Sequence, residues 1–148
     1  MVCFDTNVLV YATAAVPEDK ARRAREVVAR ALRTGLCVLL LLTLAEFSSV
    51  AMRKARIPVG DIRTVIEAWR AVLPVQAAEY DDLVAALDAV KTHQLQFWEA
   101  MLWASAERAG VRHVLTEDFH DGFVLQGVKF VNPFNRANDR LVDEILPP

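Results

Sequence analysis

Short apolar runs that alternate with helical patterns constrain the fold of this chain more than any other feature. The longest run, residues 36–42, is apolar throughout, which is typical of a strand that is covered on both faces. Strands that alternate with helices predict a mainly parallel sheet with right-handed crossovers. We therefore expect an α/β fold in which helices flank a central sheet of four or five strands. The predicted strands are residues 2–4, 36–42, 73–77, 111–115 and 128–131.

Helical patterns fill the segments between these runs. Thr43 and Glu46 have the spacing of a capping box, which predicts a helix from residue 43 to about residue 56. The other predicted helices are residues 6–12, 17–33, 61–72, 79–93 and 97–109. In the helix at 79–93, apolar residues at three- and four-residue steps predict one buried stripe. That stripe consists of Tyr80, Leu83, Leu87 and Val90.

The composition bounds the size and class of the protein. With 148 residues and 54% hydrophobic content, the chain fits a single domain, residues 1–148, with a two-faced core. No apolar stretch approaches the roughly 20 residues that cross a bilayer, and residues before the first run leave no room for an export signal. We therefore expect a soluble, cytoplasmic protein without a membrane partner. Cys3 and Cys37 lie in predicted strands without metal-binding spacing, so we expect buried free thiols.

Four acidic residues stand where an apolar strand ends or a helix begins, namely Asp5, Glu46, Glu99 and Asp118. In an open parallel α/β sheet, such junctions meet at the carboxyl edge of the strands, where ligand sites form. Carboxylates that meet there repel one another unless a cation compensates their charge. Oxygen-only ligand sets of this kind suit Mg²⁺ or Mn²⁺. The sequence therefore predicts a metal-dependent enzyme that acts on phosphodiesters.

Two of these acids also have ordinary structural explanations at the ends of helices. Asp5 could simply cap the turn between a strand and a helix, and Thr6 and Asn7 could either orient Asp5 or cap the same turn. Glu46 could be the capping-box partner of Thr43. Both alternatives stay open on the sequence alone.

Glu99 and Asp118 have alternatives of their own. Glu99 is the only charge in the apolar window at residues 97–106, so a buried position would require a cation, a hydrogen-bond network or a water-filled cleft. In the first turn of a helix, however, a surface Glu complements the helix dipole. Asp118 lies in a loop with Glu117 and Asp121, where solvated acids are common, although a cluster of three favours at least one inward carboxylate.

Basic residues bear on nucleic-acid binding only locally, because the net charge of the chain is −2. A cluster at residues 20–33 is explained as well by a solvated helix face as by RNA binding. A second cluster of Arg53, Lys54 and Arg56 ends the helix that carries Glu46. This cluster could be favourable charge at a helix C-terminus, or it could hold a phosphate backbone that leads to the site.

The sequence lacks the motifs of several other kinds of catalytic or nucleotide-binding site. Ser48 and Ser49 have no G-x-S-x-G context, and the three histidines are not spaced as zinc ligands. The five glycines form no phosphate-binding loop. These observations disfavour serine hydrolases, zinc enzymes and nucleotide-binding folds.

The chain contains a series of short motifs at residues 4–12 (FDTNVLVYA), 44–47 (LAEF) with 53–54 (RK), 97–100 (FWEA), 115–118 (LTED) and 131–134 (VNPF). In the order and spacing of these motifs, the chain resembles the PIN-domain ribonucleases of the VapC toxin type over nearly its whole length. The resemblance implies a Rossmann-like parallel sheet, dependence on Mg²⁺ or Mn²⁺, endoribonuclease activity on RNA and inhibition by a cognate VapB-type antitoxin.

Carried over residue by residue, the resemblance assigns Asp5, Glu46 and Asp118 to acidic positions of the family pattern. Glu99 stands where the family usually has Asp, so its oxygens lie one methylene further out. One or two metal ions held by these carboxylates would activate a water molecule, with Glu46 binding directly or through water. The residues expected to support them are Thr6, Asn7, Thr116, Glu117 and Asp121.

Two alternatives to this enzyme remain. The longer Glu99 side chain is compatible with a catalytically degenerate PIN-like module that binds RNA or a protein without cleaving. A phosphatase of the haloacid-dehalogenase type would use Asp5 as a covalent nucleophile, but such sites have a second Asp where this chain has Asn7. The apolar helices at residues 79–93 and 97–109 could also supply the face of a homodimer.

Overall fold

Strands and helices alternate along the chain in the computed structural model, which describes residues 1–13 and 17–148. The strands are β1 (Val2–Phe4), β2 (Leu39–Leu40), β3 (Val75–Gln76), β4 (His113–Leu115), β5 (Val124–Leu125) and β6 (Val128–Val131). The helices are α1 (Thr6–Thr13), α2 (Glu18–Thr34), α3 (Leu41–Arg53), α4 (Val59–Arg70), α5 (Tyr80–His93), α6 (Phe97–Arg108) and α7 (Asp139–Ile145). A 3-10 turn at Arg136–Asn138 precedes α7.

A four-stranded sheet with the order β1-β4-β6-β5 forms the centre of the fold, and its first three strands are parallel. β5 runs antiparallel to β6 and is not predicted by the sequence pattern. The turn between them places Gln126 and Gly127 at φ values of 45° and 82°, as a tight hairpin requires. β2 and β3 form a second parallel pair, which a bridge between Val2 and Cys37 joins to β1. The predicted α/β fold with a mainly parallel sheet is confirmed.

The side chains of β1 alternate between two hydrophobic cores, because successive residues of a strand point to opposite faces of a sheet. Val2 and Phe4 belong to a core that also contains apolar side chains of α1, α2, α3 and α7. Cys3 belongs to the second core, which lies under α5 and α6. With both faces covered, β1 is fixed in depth and register, and so is the residue that follows it.

The apolar run at residues 36–42 is a strand over only part of its length. β2 is limited to two residues, and α3 begins directly afterwards with Leu40 as its N-cap. Thr43 therefore lies inside the first turn, and its buried hydroxyl has no hydrogen-bond partner among the described residues. The predicted N-cap at Thr43 is wrong, as is its capping box with Glu46. A continuous apolar pattern does not distinguish a buried strand from the buried start of a helix.

The apolar stripe predicted for the core side of α5 is also wrong. Tyr80 is 77% exposed and Leu87 is 53% exposed, whereas Ala86 and Ala89 are buried against α6. Small residues allow the two helices to pack closely, since interaxial distance depends on the side chains at the contact. Buried Asp82 accepts hydrogen bonds from α6, so a polar anchor and two alanines face the core.

Cys3 and Cys37 are free and buried, as predicted. Burial raises the pKa of the Cys37 thiol to about 12, so both side chains act as small apolar residues rather than nucleophiles. None of the helices in residues 1–13 and 17–148 combines the length and the apolar character needed to cross a membrane.

Candidate active site

The pairing of β1 with β4 places Asp5 beside Thr116. Both residues directly follow their strands, and the Asp5 backbone N–H donates to the Leu115 carbonyl at 3.0 Å. The Asp5 carboxylate then accepts hydrogen bonds from the Thr116 hydroxyl at 2.7 Å and from the Thr6 backbone N–H at 2.6 Å. Asp5 thus points along the carboxyl edge of the sheet, held by groups from both strands' ends.

Asn7 links Asp5 to the loop that follows β4. Its side-chain amide nitrogen lies 3.2 Å from the Asp5 carboxylate, 3.1 Å from that of Asp118 and 3.3 Å from the Thr116 hydroxyl. Its side-chain oxygen accepts the backbone N–H of Glu117 at 3.3 Å. A neutral amide in the first turn of α1 therefore holds two carboxylates close together without neutralising either one.

Glu46 and Glu99 reach the same region from α3 and α6. Glu46 accepts the Thr6 hydroxyl at 2.7 Å, so its carboxylate is tied to α1 instead of capping its own helix. Glu99 accepts the Gln96 backbone N–H at 3.1 Å, and the Gln96 side chain in turn accepts the Glu99 backbone N–H. This reciprocal capping box shows that Glu99 stabilises the start of α6.

Glu99 is only half-buried, because the first turn of α6 reaches the surface. Trp98 is 68% exposed, and only residues 100–106 of α6 are buried. One carboxylate oxygen of Glu99 caps the helix, while the other accepts no hydrogen bond from any residue of the described ranges. That second oxygen is available to a ligand.

All four predicted carboxylates line one open cleft of about 650 Å³. Thr6 and Asn7, which we expected to support them, line the same cleft, as does Lys54 from the predicted RNA-binding group. Arg53 and Arg56 do not line it. The four acids that the sequence predicted to meet therefore share one cleft. The carboxylates belong to Asp5, Glu46, Glu99 and Asp118.

Glu117 and Asp121, which were also expected to support the site, hold other segments of the chain. Glu117 accepts the Tyr11 hydroxyl at 2.8 Å and pairs with Lys20 at 2.5 Å, so it fastens α1 and α2 to the loop after β4. Asp121 accepts the Asn132 backbone N–H at 2.9 Å and the side-chain amides of two further asparagines beyond β6. Neither carboxylate lines the cleft.

The charge of the cleft is strongly negative. Burial raises the pKa of Asp5, hydrogen bonds from Thr116 and Thr6 partly oppose that effect, and the charges of Asp118 and Glu46 add to it. Lys54 is the only cationic side chain that lines the cleft within the described part of the chain. Additional positive charge would therefore lower the free energy of the ionised site.

The donor set fits a hard divalent cation. It consists of carboxylate, hydroxyl and amide oxygens, which suit Mg²⁺ and Mn²⁺. No three acidic, histidine or cysteine side chains of the described ranges converge on a single point. Mg²⁺ commonly keeps several waters and uses only one or two protein carboxylates, a requirement that Asp5 and Asp118 meet.

Several cleft residues were not identified as site residues from the sequence. Tyr11 lines the cleft, and burial together with its bond to Glu117 and the nearby acids raises its pKa to about 12, so it acts as a neutral donor. Gln96 and Trp98 also line it, one at the N-cap and one in the first turn of α6. Both residues precede the buried part of α6, and this position is the sequence feature that could have identified them as cleft residues.

Asp5→Asn should stabilise the protein in EDTA at neutral pH. Folding raises the pKa of Asp5, so its ionised form costs stability as the pH rises from the unfolded value through the folded value. Removing the charge should raise the melting temperature by a few degrees at neutral pH. The gain should vanish below the unfolded Asp pKa of about 4, where both states are protonated.

Calorimetry across acidic and neutral pH measures this gain. Asp61→Asn, at an exposed position in the first turn of α4, controls for the loss of one negative charge. An Asp5→Asn protein that is less stable than wild type at neutral pH would show that the carboxylate is not under strain.

The family model of the PIN domain matches residues 2–121, a span that contains all four carboxylates of the cleft. Two solved structures share the fold. VapC20 of Mycobacterium tuberculosis, a sarcin-ricin loop cleaving toxin, gives a TM-score of 0.64 at 15% identity, covering 80% of this chain and 90% of its own. A toxin-antitoxin complex from Klebsiella pneumoniae gives 0.64 at 16% identity, covering 90% and 98%.

At such low identities these structures show a shared fold and nothing more. No curated protein matches the chain. The family model, however, covers most of the length, including the two strands that precede Asp5 and Asp118 and the two helices that carry Glu46 and Glu99. The chain belongs to the PIN-domain family, as its sequence motifs predicted.

Proposed function

We propose that this protein is a Mg²⁺- or Mn²⁺-dependent endoribonuclease of the VapC toxin type that hydrolyses RNA phosphodiesters with an activated water molecule. The observation that carries the proposal is the meeting of four carboxylates in one cleft of a PIN-type nuclease fold. Asp5 and Asp118 approach each other there through a neutral amide rather than through a cationic side chain. Such an arrangement leaves the negative charges of both carboxylates available to a metal ion.

The roles of the cleft residues follow from their contacts. Asp5 and Asp118 would hold the metal, while Glu46 and Glu99 would bind it directly or through water. When bound, a divalent cation supplies an activated water and offsets the charge that develops on the phosphate. Asn7 keeps the first two carboxylates at a fixed separation. Thr6, Thr116 and Glu117 would act indirectly, through the bonds that position this group.

Lys54 would contribute to substrate binding. It lines the cleft as the C-cap residue of α3, the helix that also carries Glu46. Its ammonium group would bind a phosphate of the RNA backbone, whereas Arg53 and Arg56 would add longer-range attraction from outside the cleft. Asp121 would have a structural role, because its carboxylate holds the segment beyond β6.

We further propose a cytoplasmic location and a cognate VapB-type antitoxin as the protein partner. The motif resemblance supports both, and one structure with the same fold is a toxin-antitoxin complex. A gene for a small DNA-binding protein immediately upstream would identify the candidate antitoxin. Failure of that purified protein to inhibit RNA cleavage would contradict the assignment.

A catalytically degenerate PIN-like binding module is the second candidate. The capping box of Glu99 favours it, because one oxygen of this carboxylate is already engaged by the start of α6. This alternative requires RNA binding without cleavage, even with saturating Mn²⁺ and a mixture of unrelated RNAs.

Cleavage and metal binding should depend on the same carboxylates. Wild-type protein should cleave RNA in Mn²⁺ or Mg²⁺ and not in EDTA, and Asp5→Asn should reduce the rate by on the order of 100-fold or more. Because a ligand bound only by the native state stabilises it, Mn²⁺ should raise the wild-type melting temperature. A variant with both Asp5→Asn and Asp118→Asn should show no such rise.

Two outcomes would contradict the metal site. Equal stabilisation of wild type and the double variant would place Mn²⁺ elsewhere, and full activity of Asp5→Asn would exclude Asp5 as a ligand. Asp61→Asn on α4 again serves as the matched control, with unchanged cleavage and unchanged stabilisation by Mn²⁺.

Glu99→Gln tests whether this residue binds metal or only caps α6. Gln keeps the size and can still accept the Gln96 N–H, so the cap survives while the charge is lost. If Glu99 is a ligand, cleavage and Mn²⁺ stabilisation should both fall, by roughly 10- to 100-fold for the rate. Glu99→Asp should retain measurable activity. A Glu99→Gln protein that equals wild type in both measurements would reduce the site to three carboxylates.

A homodimer is the oligomeric state that we propose. The exposed apolar side of α5 supplies a self-complementary surface of Tyr80, Leu83, Val84 and Leu87. Asp81 lies in the first turn and Lys91 in the last, so antiparallel pairing of two α5 helices across a two-fold axis places opposite charges together. The same apolar residues explain why the sequence suggested a buried stripe.

Leu87→Glu should convert the dimer to a monomer, because the two-fold axis would bring two buried carboxylates into the interface. Sedimentation velocity measures this change directly. Val59→Glu places the same charge at an exposed apolar position of α4 and should leave the dimer intact. A monomeric wild type, or a dimeric Leu87→Glu, would contradict this surface assignment.

A further inference from the structure

Trp98 is exposed, whereas residues 100–106 of the same helix are buried. Its side chain is 68% exposed, whereas the other two tryptophans of the chain, Trp69 and Trp103, are 7% and 4% exposed. Large aromatic side chains contribute most when they are buried, so an indole left in solvent forgoes that stabilisation. Neither the metal site nor the core of α6 uses this ring.

The position of Trp98 is nevertheless well defined. It follows Phe97 at the start of α6, in a turn fixed by the reciprocal capping box of Gln96 and Glu99. The Trp98 and Phe97 rings meet edge to face, with centroids 5.1 Å apart and planes at 66°. The exposed indole is thus held by a helix and by a second aromatic ring, as a stacking platform requires.

The platform belongs to the same cleft as the carboxylates. Trp98 lines this cleft next to Glu99, and Leu102, one helical turn further along α6, continues its apolar wall together with Phe119. The lining combines carboxylates with aromatic and aliphatic groups, so the cleft has two characters. A site for a metal ion and a phosphate alone would need only the first.

The charges of the cleft indicate what binds against the apolar wall. Lys54 supplies a cation for a phosphate, and the carboxylates supply a site for a metal ion that also attracts phosphate. A ligand that presents phosphates together with flat apolar rings matches both characters. Unpaired nucleotides have that chemistry, whereas the bases of a duplex are stacked on their neighbours and hide their faces.

We propose that Trp98 positions the substrate by stacking on an unpaired base of the RNA next to the scissile phosphate. This inference rests on the proposed ribonuclease function and assigns it a substrate subsite. Stacking on an aromatic ring tolerates any base, so the platform selects for unpaired nucleotides rather than for a sequence.

RNA binding by the uncleaving Asp5→Asn protein tests the subsite directly. The probes are a short oligoadenylate and a blunt-ended, fully paired RNA duplex with the same number of nucleotides per strand. Oligoadenylate should quench the fluorescence of the exposed Trp98. Trp98→Ala should weaken oligoadenylate binding by roughly 5- to 150-fold, the effect of losing one stacked base. Trp98→Phe should retain most of the affinity, and neither substitution should change duplex binding.

Val59→Ala is the matched control, because it truncates an apolar side chain that is 66% exposed and lies outside the cleft. The quenching measurement uses an intact Trp98 and so stays informative if Trp98→Ala melts early. Equal oligoadenylate binding by the Asp5→Asn protein with and without Trp98→Ala would overturn the proposal, and so would an equal loss of duplex binding on Trp98→Ala. So would a Trp98→Ala protein whose only change is a shift from dimer to monomer, since the ring would then face a second copy.

The subsite and the ribonuclease function fail in different ways. Cleavage of RNA by wild type, with unchanged binding and cleavage in Trp98→Ala, would reject the subsite and leave the enzyme. Binding that depends on Trp98, without cleavage by wild type in Mn²⁺, would reject the enzyme and leave a module for unpaired RNA.

Discussion

β1 and β4 are paired in parallel and end at the same edge, so the residues that follow them must emerge side by side. Asp5 and Thr116 occupy those positions, and the backbone bond from Asp5 to Leu115 continues the ladder by one step. The rest of the cleft depends on this register. Asn7 can reach both Asp5 and Asp118 only because the first turn of α1 and the loop after β4 begin at adjacent points.

Two acidic residues of this chain, Asp82 and Asp5, differ in the partners that surround their carboxylates. Asp82 is buried, yet hydrogen bonds from Arg108, Glu79 and Ser105 together with the charge of Arg108 outweigh the effect of burial and lower its pKa, so its charge is satisfied inside the chain. Asp5 receives only hydroxyl and amide donors, and burial raises its pKa. A carboxylate with such partners keeps its affinity for an external cation, at some cost in stability of the metal-free fold.

The sequence predicted the architecture and the convergence of the acids because both follow from the alternation of apolar runs and helices. It did not locate the start of α3, since one apolar run serves as a buried strand and then as a buried helix turn. It misassigned the inner face of α5, where alanines allow close packing and leave larger side chains such as Leu87 outside. Helix periodicity identifies an apolar stripe, but the neighbouring element decides which stripe is buried.

The first turn of α6 combines three roles: it caps the helix, it presents the Trp98 indole and it leaves one Glu99 oxygen free. One oxygen of Glu99 accepts the Gln96 N–H, and this hydrogen bond fixes the start of the helix. The same turn directs Trp98 and the second Glu99 oxygen toward one cleft. Capping and metal binding are compatible, because an ionised carboxylate can accept about four bonds through its two oxygens. A cation could therefore bind the free oxygen of Glu99 without displacing the cap that positions the indole.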